Sequence, residues 1–364
     1  MEKELIFAQD FKSDTYTLVE LSTPELVETF ESGQNIVIKG LADDEAVLCT
    51  DAKTYIIKQA NTSNSLVLLT SDDQYKIQDN LSWSIELSSC IARLGRLDEL
   101  LKPTVYSGSQ KESLHQDKTF YSEQDLLTIV QASEQELKQA LRQRGVFEYN
   151  GKCRLFDSDY LLRLFDALMT NILIHGIPIS QLTPNKAKEC IVAEMASMDV
   201  DDIIPDAILS AALLNWVEDG VLDGDQLHLD DRKICRFLGD WLLTHPRDKK
   251  WEVQDFMEVW TKLGHDLFEP KLEMVSDMCI AEELAKGKST QKYIQYYPVT
   301  ELSTNPPQRF AALFSVKTLW TNDEITPFLV DLAPTVKERD SLLLKFTRRH
   351  KTSDKQILYG SRIK

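Results

Sequence analysis

The residues with the clearest chemical potential are cationic and lie close together. Between Leu342 and Lys364, in LLLKFTRRHKTSDKQILYGSRIK, seven residues are Lys or Arg and one, Asp354, is acidic. Lys345, Arg348, Arg349, Lys351, Lys355, Arg362 and Lys364 give this stretch a charge of +6 in a chain of net −17, which leaves −23 for the remainder. Such a segment can neutralise phosphates, whereas the acidic bulk repels a polyanion, so any contact with DNA must be local. Wound as a helix, residues 336–349 place Val336, Leu342, Leu343, Leu344 and Phe346 on one broad face. Lys337, Lys345 and Arg348 fall opposite, with Arg349 at the edge. An apolar back and a basic front are what the third helix of a winged helix presents to DNA. Lys355, Arg362 and Lys364 are expected on the following strand and its exit, where phosphates would lie. No Asn/Gln/Arg set is arranged to read bases, so backbone contact with little sequence preference is expected. About four neutralised phosphates would give log K a slope near −3 to −4 against log salt. The competing reading of the same residues is a solvated helix face.

Other chemistry is thinly supported. AKGKST at 285–290 resembles a phosphate loop, but Glu282 stands where the motif needs its first glycine. The six histidines never recur at i, i+4 or beside a cysteine, so no metal site is expected. The six cysteines are scattered with no C-x-x-C and read as buried small residues in a reducing compartment. Acid pairs such as Asp43–Asp44 and Asp230–Asp231 suit turns and helix starts. No catalytic motif is present, and the chain is read as a non-enzyme without cofactors. No apolar run reaches membrane-spanning length, and MEKELIFAQD has neither a basic n-region nor a long apolar run, so no secretory signal is expected.

The elements that must position the cations fall into two classes. In residues 1–95, YTLVEL, NIVIKG, EAVLC, KTYIIKQA, SLVLLTS and SIELSS alternate with period two or form short buried runs. One helix interrupts them, with Thr23 as cap, Pro24 in its first turn and Gly33 at its end. These strands predict a β-barrel-like domain whose open edges a partner subunit completes. Residues 96–157 hold a helical or winged-helix unit, with 103–118 as a linker, a Ser133–Glu136 capping box and an Asn150–Gly151 hairpin turn. Similar units are expected at 158–230, where Asp223–Gly224 would form a second wing turn, at 231–300, and at 301–364. Residues 271–285 are expected to be helical. The fold class is α+β, a barrel-like domain followed by tandem winged helices.

Three stretches carry a resemblance to a known family. They are AVLCTDAKTYIIKQANTSNSLVLL at 46–69, RFAALFSVKTLWTNDEITPFL at 309–329, and LLLKF leading to LYGSRIK at the end. Together they resemble the "defective in sister chromatid cohesion" family, the cohesion subunit of the alternative, replication-factor-C-like clamp loader. The order of the motifs matches from end to end. The resemblance implies a nuclear, non-catalytic scaffold in DNA replication and the cell cycle. Its N-terminal strands would form a joint barrel with a small partner subunit, and that pair would hold the C-terminal tail of the large AAA+ subunit. The winged helices would bind single- and double-stranded DNA and the catalytic subunit of DNA polymerase epsilon, reaching the sliding clamp indirectly. On the last winged helix the implied DNA contacts match Lys345, Arg362 and Lys364, and Arg348 and Arg349 extend them. The alternative is a winged-helix scaffold for proteins alone, without direct DNA binding.

Overall fold

A computed structural model describes residues 5–13, 15–71, 75–197, 203–218, 222, 226–286, 289–351 and 357–362. Contacts divide the chain into two compact units, Met1–Leu97 with Glu123–Leu141, and Asp98–Ser122 with Arg142–Lys364. The fold is mixed α+β.

The first unit begins with β1 (Leu5–Phe7), β2 (Leu18–Glu20), helix α1 (Pro24–Glu31), β3 (Val37–Lys39), β4 (Val47–Cys49), β5 (Thr54–Ser71) and β6 (Tyr75–Cys90). The Thr23 hydroxyl caps α1 by accepting from the Leu26 N–H at 3.3 Å, and Gly33 follows the helix with φ of 68°. The six strands form one sheet in the order β1-β6-β5-β4-β3, with β2 also on β6. β1 and β2 run parallel to β6, and the long β5–β6 hairpin is antiparallel. Leu26 of α1 buries against Leu48, Tyr55 and Leu87. Among the described residues the sheet stays open and no barrel closes. Its margins carry exposed apolar side chains, Phe7 on β1 and Ile38 on β3 each 64% exposed.

Helix α2 (Gly95–Leu101) begins in this unit and ends in the other. Two helices, α3 (Glu123–Ile129) and α4 (Glu134–Gln143), complete it up to Leu141. The Ser133–Glu136 capping box is present, with both reciprocal bonds at 3.2 and 3.0 Å. A buried polar knot joins this turn to the sheet. Lys39 Nζ donates to the Ala132 carbonyl at 2.6 Å, and the Thr54 hydroxyl donates to Glu136 Oε2 at 2.6 Å. Burial lowers the Lys39 pKa and raises that of neighbouring Cys49.

The second unit opens with the stretch expected as a linker. It contains two 3-10 turns, Lys102–Thr104 and Ser109–His115, and it is tied down by Arg154. That buried guanidinium donates to the Thr104 carbonyl and takes Glu112 in a fork at 2.8 Å per arm, with the Phe120 ring 4.9 Å away. Strands β7 (Phe147–Tyr149) and β8 (Lys152–Arg154) flank the Asn150–Gly151 turn. Both turn residues have positive φ, 52° and 73°, as a type I′ hairpin requires. Helices α5 (Ser158–His175), α6 (Pro184–Ser197) and α7 (Asp206–Leu214) pack around Phe165, Leu168 and Trp216. The Asp223–Gly224 turn lies outside the described residues.

Two segments then repeat one order of elements. The first runs α8 (Asp231–Thr244), β9 (Trp251–Glu252), α9 (Val253–Leu263), a 3-10 turn at Leu272–Val275, β10 (Cys279–Lys286) and β11 (Ser289–Tyr296). The second runs α10 (Pro306–Val316), β12 (Leu319–Trp320), α11 (Asn322–Ile325), α12 (Val336–Phe346), β13 (Thr347–Lys351) and β14 (Ile357–Ser361). In each, the short strand pairs with the last one, giving sheet orders β10-β11-β9 and β12-β14-β13. The expected helix at 271–285 is therefore corrected. Only Leu272–Val275 is helical there, and Cys279–Lys286 pairs residue by residue with Ser289–Tyr296. Glu, Leu, Ala and Lys favour a helix locally, but strand pairing and burial of Ile280 override that preference.

Candidate nucleic-acid interface

The cationic stretch is positioned by α12 and the β13–β14 hairpin. Thr335 and Glu338 form a reciprocal capping box that starts α12, and Thr321 with Glu324 does the same for α11. Both follow the T-x-x-E spacing in the sequence. Leu343 is buried in a core with Phe310, Trp320 and Phe328, and Leu342 and Phe346 pack at its margin. Leu344 and Val336, expected on the apolar face, are 59% and 66% exposed instead. The stripe is narrower than expected, and the helix is also shorter. It stops at Phe346, where the β-branched Thr347 takes up extended angles and its hydroxyl donates to the Leu343 carbonyl at 2.5 Å. Arg348 and Arg349 therefore lie on a strand and not on a helix face.

Strand alternation then divides the cations. Thr347 and Tyr359 are buried, and they share a sheet face with Arg349 and Lys351, since Arg349 pairs with Tyr359 and Lys351 with Ile357. Arg348 and His350 occupy the opposite face. His350 lies over Gly360, where a Cβ would come within 2.8 Å of its Nε2. Lys345, Arg348, Arg349 and Lys351 are all exposed, and Lys345 Nζ sits 5.3 Å from the Phe346 ring centroid. None of the four forms an ion pair with a described carboxylate. β13 is the edge of its sheet, so these charges also guard against strand addition.

Arg362, expected as a phosphate contact, is exposed and is also tied back to α12. Its Nη1 donates to the Leu344 and Lys345 carbonyls at 3.0 and 3.4 Å, and its backbone N–H donates to Phe346. It caps the carboxyl end of α12, where the helix dipole favours a cation. Lys355 and Lys364 lie outside the described residues. The structure thus leaves Lys345, Arg348, Arg349 and Lys351 exposed, at the end of α12 and on both faces of β13, and ties Arg362 to the last carbonyls of that helix.

Sequence reasoning missed a buried arginine in the core of the same segment. Arg309 of α10 is fully buried and forks onto Asp331 at 3.0 and 2.8 Å, while donating to the Ser303 and Phe328 carbonyls at 2.7 Å. No local pattern distinguishes it from a surface arginine. All six cysteines are free thiols, and burial pushes Cys279 up to about 12 and Cys90 and Cys235 up to about 11.

A family model described as sister chromatid cohesion protein Dcc1 matches residues 16–329. The chain belongs to the Dcc1 family. Among curated Dcc1 proteins, "Sister chromatid cohesion protein DCC1" of Xenopus tropicalis is 28% identical, covering 94% of this chain and 88% of the relative. "Probable sister chromatid cohesion protein DCC1" of Dictyostelium discoideum is 26% identical over 96% of this chain and 95% of its own length. The Saccharomyces cerevisiae protein of the same name is 21% identical over 94% and 96%. The Dcc1 match covers the N-terminal sheet from β2 onward and α10, but stops at Leu329, before α12 and the basic hairpin.

Proposed function

We propose that this chain is a non-catalytic subunit of the alternative clamp loader acting in DNA replication and sister chromatid cohesion. Membership of the Dcc1 family carries the reading. On it, the open N-terminal sheet joins a small partner subunit, and the pair holds the tail of the large AAA+ subunit. Exposed apolar residues at the sheet margins, Phe7 and Ile38 among them, support a partner on those edges. The segments 231–296 and 306–361 are winged helices on this reading, and the others pack as related units. The second unit contacts DNA polymerase epsilon, the clamp is reached indirectly, and the site of action is the nucleus.

The DNA contact is assigned to Lys345, Arg348, Arg349 and Lys351, supported by their exposure and their freedom from described carboxylates. Reversing these four charges abolishes DNA binding in a gel-shift titration, while partner subunits still co-purify. Arg362 is left intact in that variant because it caps a helix. Undiminished binding would remove the DNA half of the proposal. Absence of AAA+ subunits from the purified complex, read by mass spectrometry, would remove the rest. One observation favours a protein-only scaffold: the charges lie on both faces of an edge strand, as protection against aggregation also requires. On that reading, DNA affinity is no steeper in salt than that of an unrelated acidic control.

A further inference from the structure

We infer that the outer edge of β13 is a docking site for an extended acidic segment of a protein partner, which adds to the three-stranded sheet as a further strand. The phase of two hairpins locates the open backbone groups. In the segment 231–296 the Tyr297 N–H donates to the Met278 carbonyl, and in 306–361 the Arg362 N–H donates to the Phe346 carbonyl. Opposed residues in an antiparallel pair alternate between bonded and non-bonded, so each of these bonds sets the phase of its whole ladder. Counted along the two registers, Ile280 and Arg348 turn their backbone groups inward, to β11 and β14. Ala281 and Arg349 turn theirs outward, as does Lys351. The hairpins are therefore equivalent position by position, Ile280 with Arg348 and Ala281 with Arg349.

One of these edges is covered and the other is not. The outward Ala281 carbonyl accepts from Lys317 Nζ at 3.1 Å, and Ile280 is buried in the core that Phe310, Trp320 and Phe328 build in the next segment. Among the described residues no strand lies beyond β13, and the outward N–H and C=O groups of Arg349 and Lys351 have no hydrogen-bond partner.

The side chains name the chemistry of the missing cover. Where an apolar core takes Ile280, its counterpart is the exposed Arg348, and Arg349 and Lys351 on the other face are exposed cations too. An apolar strand would bury these charges unpaired, and a basic strand, a second copy of β13 included, would be repelled. Carboxylates on an added strand pair with them on both faces. A phosphate answers only the outward N–H groups, whereas another backbone answers the carbonyls as well. Main-chain bonds then supply the affinity, and the flanking cations select the partner. The strand site rests on this edge alone. On the DNA-binding reading above, the same cations serve both ligands, so an acidic strand and DNA exclude each other.

The test uses the full chain with a peptide alternating Glu and Thr, the same peptide with every backbone amide N-methylated, and a single-stranded oligonucleotide. The unmethylated peptide is expected to bind. The Arg349 and Lys351 amides should then gain protection from hydrogen exchange, while those of Arg348 and His350, already bonded to β14, stay as they were. Replacing the exposed Arg348, Arg349 and Lys351 together by Ser should weaken peptide binding about tenfold, as a few surface ion pairs would give. Equal affinity for the N-methylated peptide overturns the strand site, because charge alone would then hold the ligand. Binding without added protection at Arg349 and Lys351 overturns it as well, and so does failure to bind. Displacement of the peptide by the oligonucleotide supports mutual exclusion, and simultaneous binding of both overturns it. DNA binding without peptide binding removes the strand site and leaves the DNA reading standing. Peptide binding without DNA binding does the reverse.

Discussion

The segments 231–296 and 306–361 have the same order of elements and the same strand pairing, yet they spend their charges in opposite ways. In the first, several of the cations are spoken for. Arg236 forks onto Asp277 at 2.7 Å, Lys250 meets Glu282 at 2.9 Å, Arg247 pairs with Glu301, and Lys249 sits on the Trp251 ring. Its hairpin is also absorbed into its neighbour. Ile280 of β10 belongs to the core of the second segment, and the Ala281 carbonyl accepts from Lys317 Nζ at 3.1 Å. In the second segment, the corresponding hairpin carries Arg348, Arg349 and Lys351, exposed and without described carboxylate partners. Identical topology thus yields a packing element in one place and a free cationic surface in the other. What separates them is the distribution of acids around each hairpin, which topology does not determine.

The sharpest way to break this comparison is to remove the buried support of the second segment without touching its surface charge. Arg309→Ala leaves Asp331 without its partner and should cost about 3 kcal/mol, read as a lowered midpoint in chemical unfolding. A pair of glycines compares the two segments directly. A Cβ on Gly239 of α8 would lie 2.7 Å from the Trp260 ring and 2.8 Å from Val275, both in a rigid core, so Gly239→Ala should cost about 2–3 kcal/mol. Gly360→Ala meets the His350 ring, which can swing outward, and should cost about 1 kcal/mol. If the two measured losses are equal, the second hairpin is packed as tightly as the helical core of the first segment. Arg362→Gln should cost about 0.5–1 kcal/mol in stability and leave the salt slope of DNA binding unchanged. Lys250→Ala, in the paired segment, should move stability by less than about 0.5 kcal/mol and DNA affinity not at all.

The legible features were those fixed by local chemistry. Thr23 and Pro24 marked the start of α1, Ser133 with Glu136 the start of α4, and Asn150–Gly151 the first hairpin. Each is specified by residues within a few positions of one another. What sequence could not supply depended on distant partners. The strand at 279–286 is made by pairing with β11 and by the place its Ile280 finds among Phe310 and Trp320. Arg154 and Arg309 look like surface residues until Glu112 and Asp331 are brought to them by the fold. For the candidate site, the cluster of cations was plain in the sequence. Its division between two strand faces, and the tie from Arg362 to the helix, followed from where α12 ends.

That last contact couples the far end of the molecule to the element above it. Losing Arg362 would leave the terminal carbonyls of α12 without that donor and remove the N–H that reaches the Phe346 carbonyl. A break there would be felt as fraying of the last turn of the helix upstream, and so would act on the placement of Lys345 and the strand that follows it.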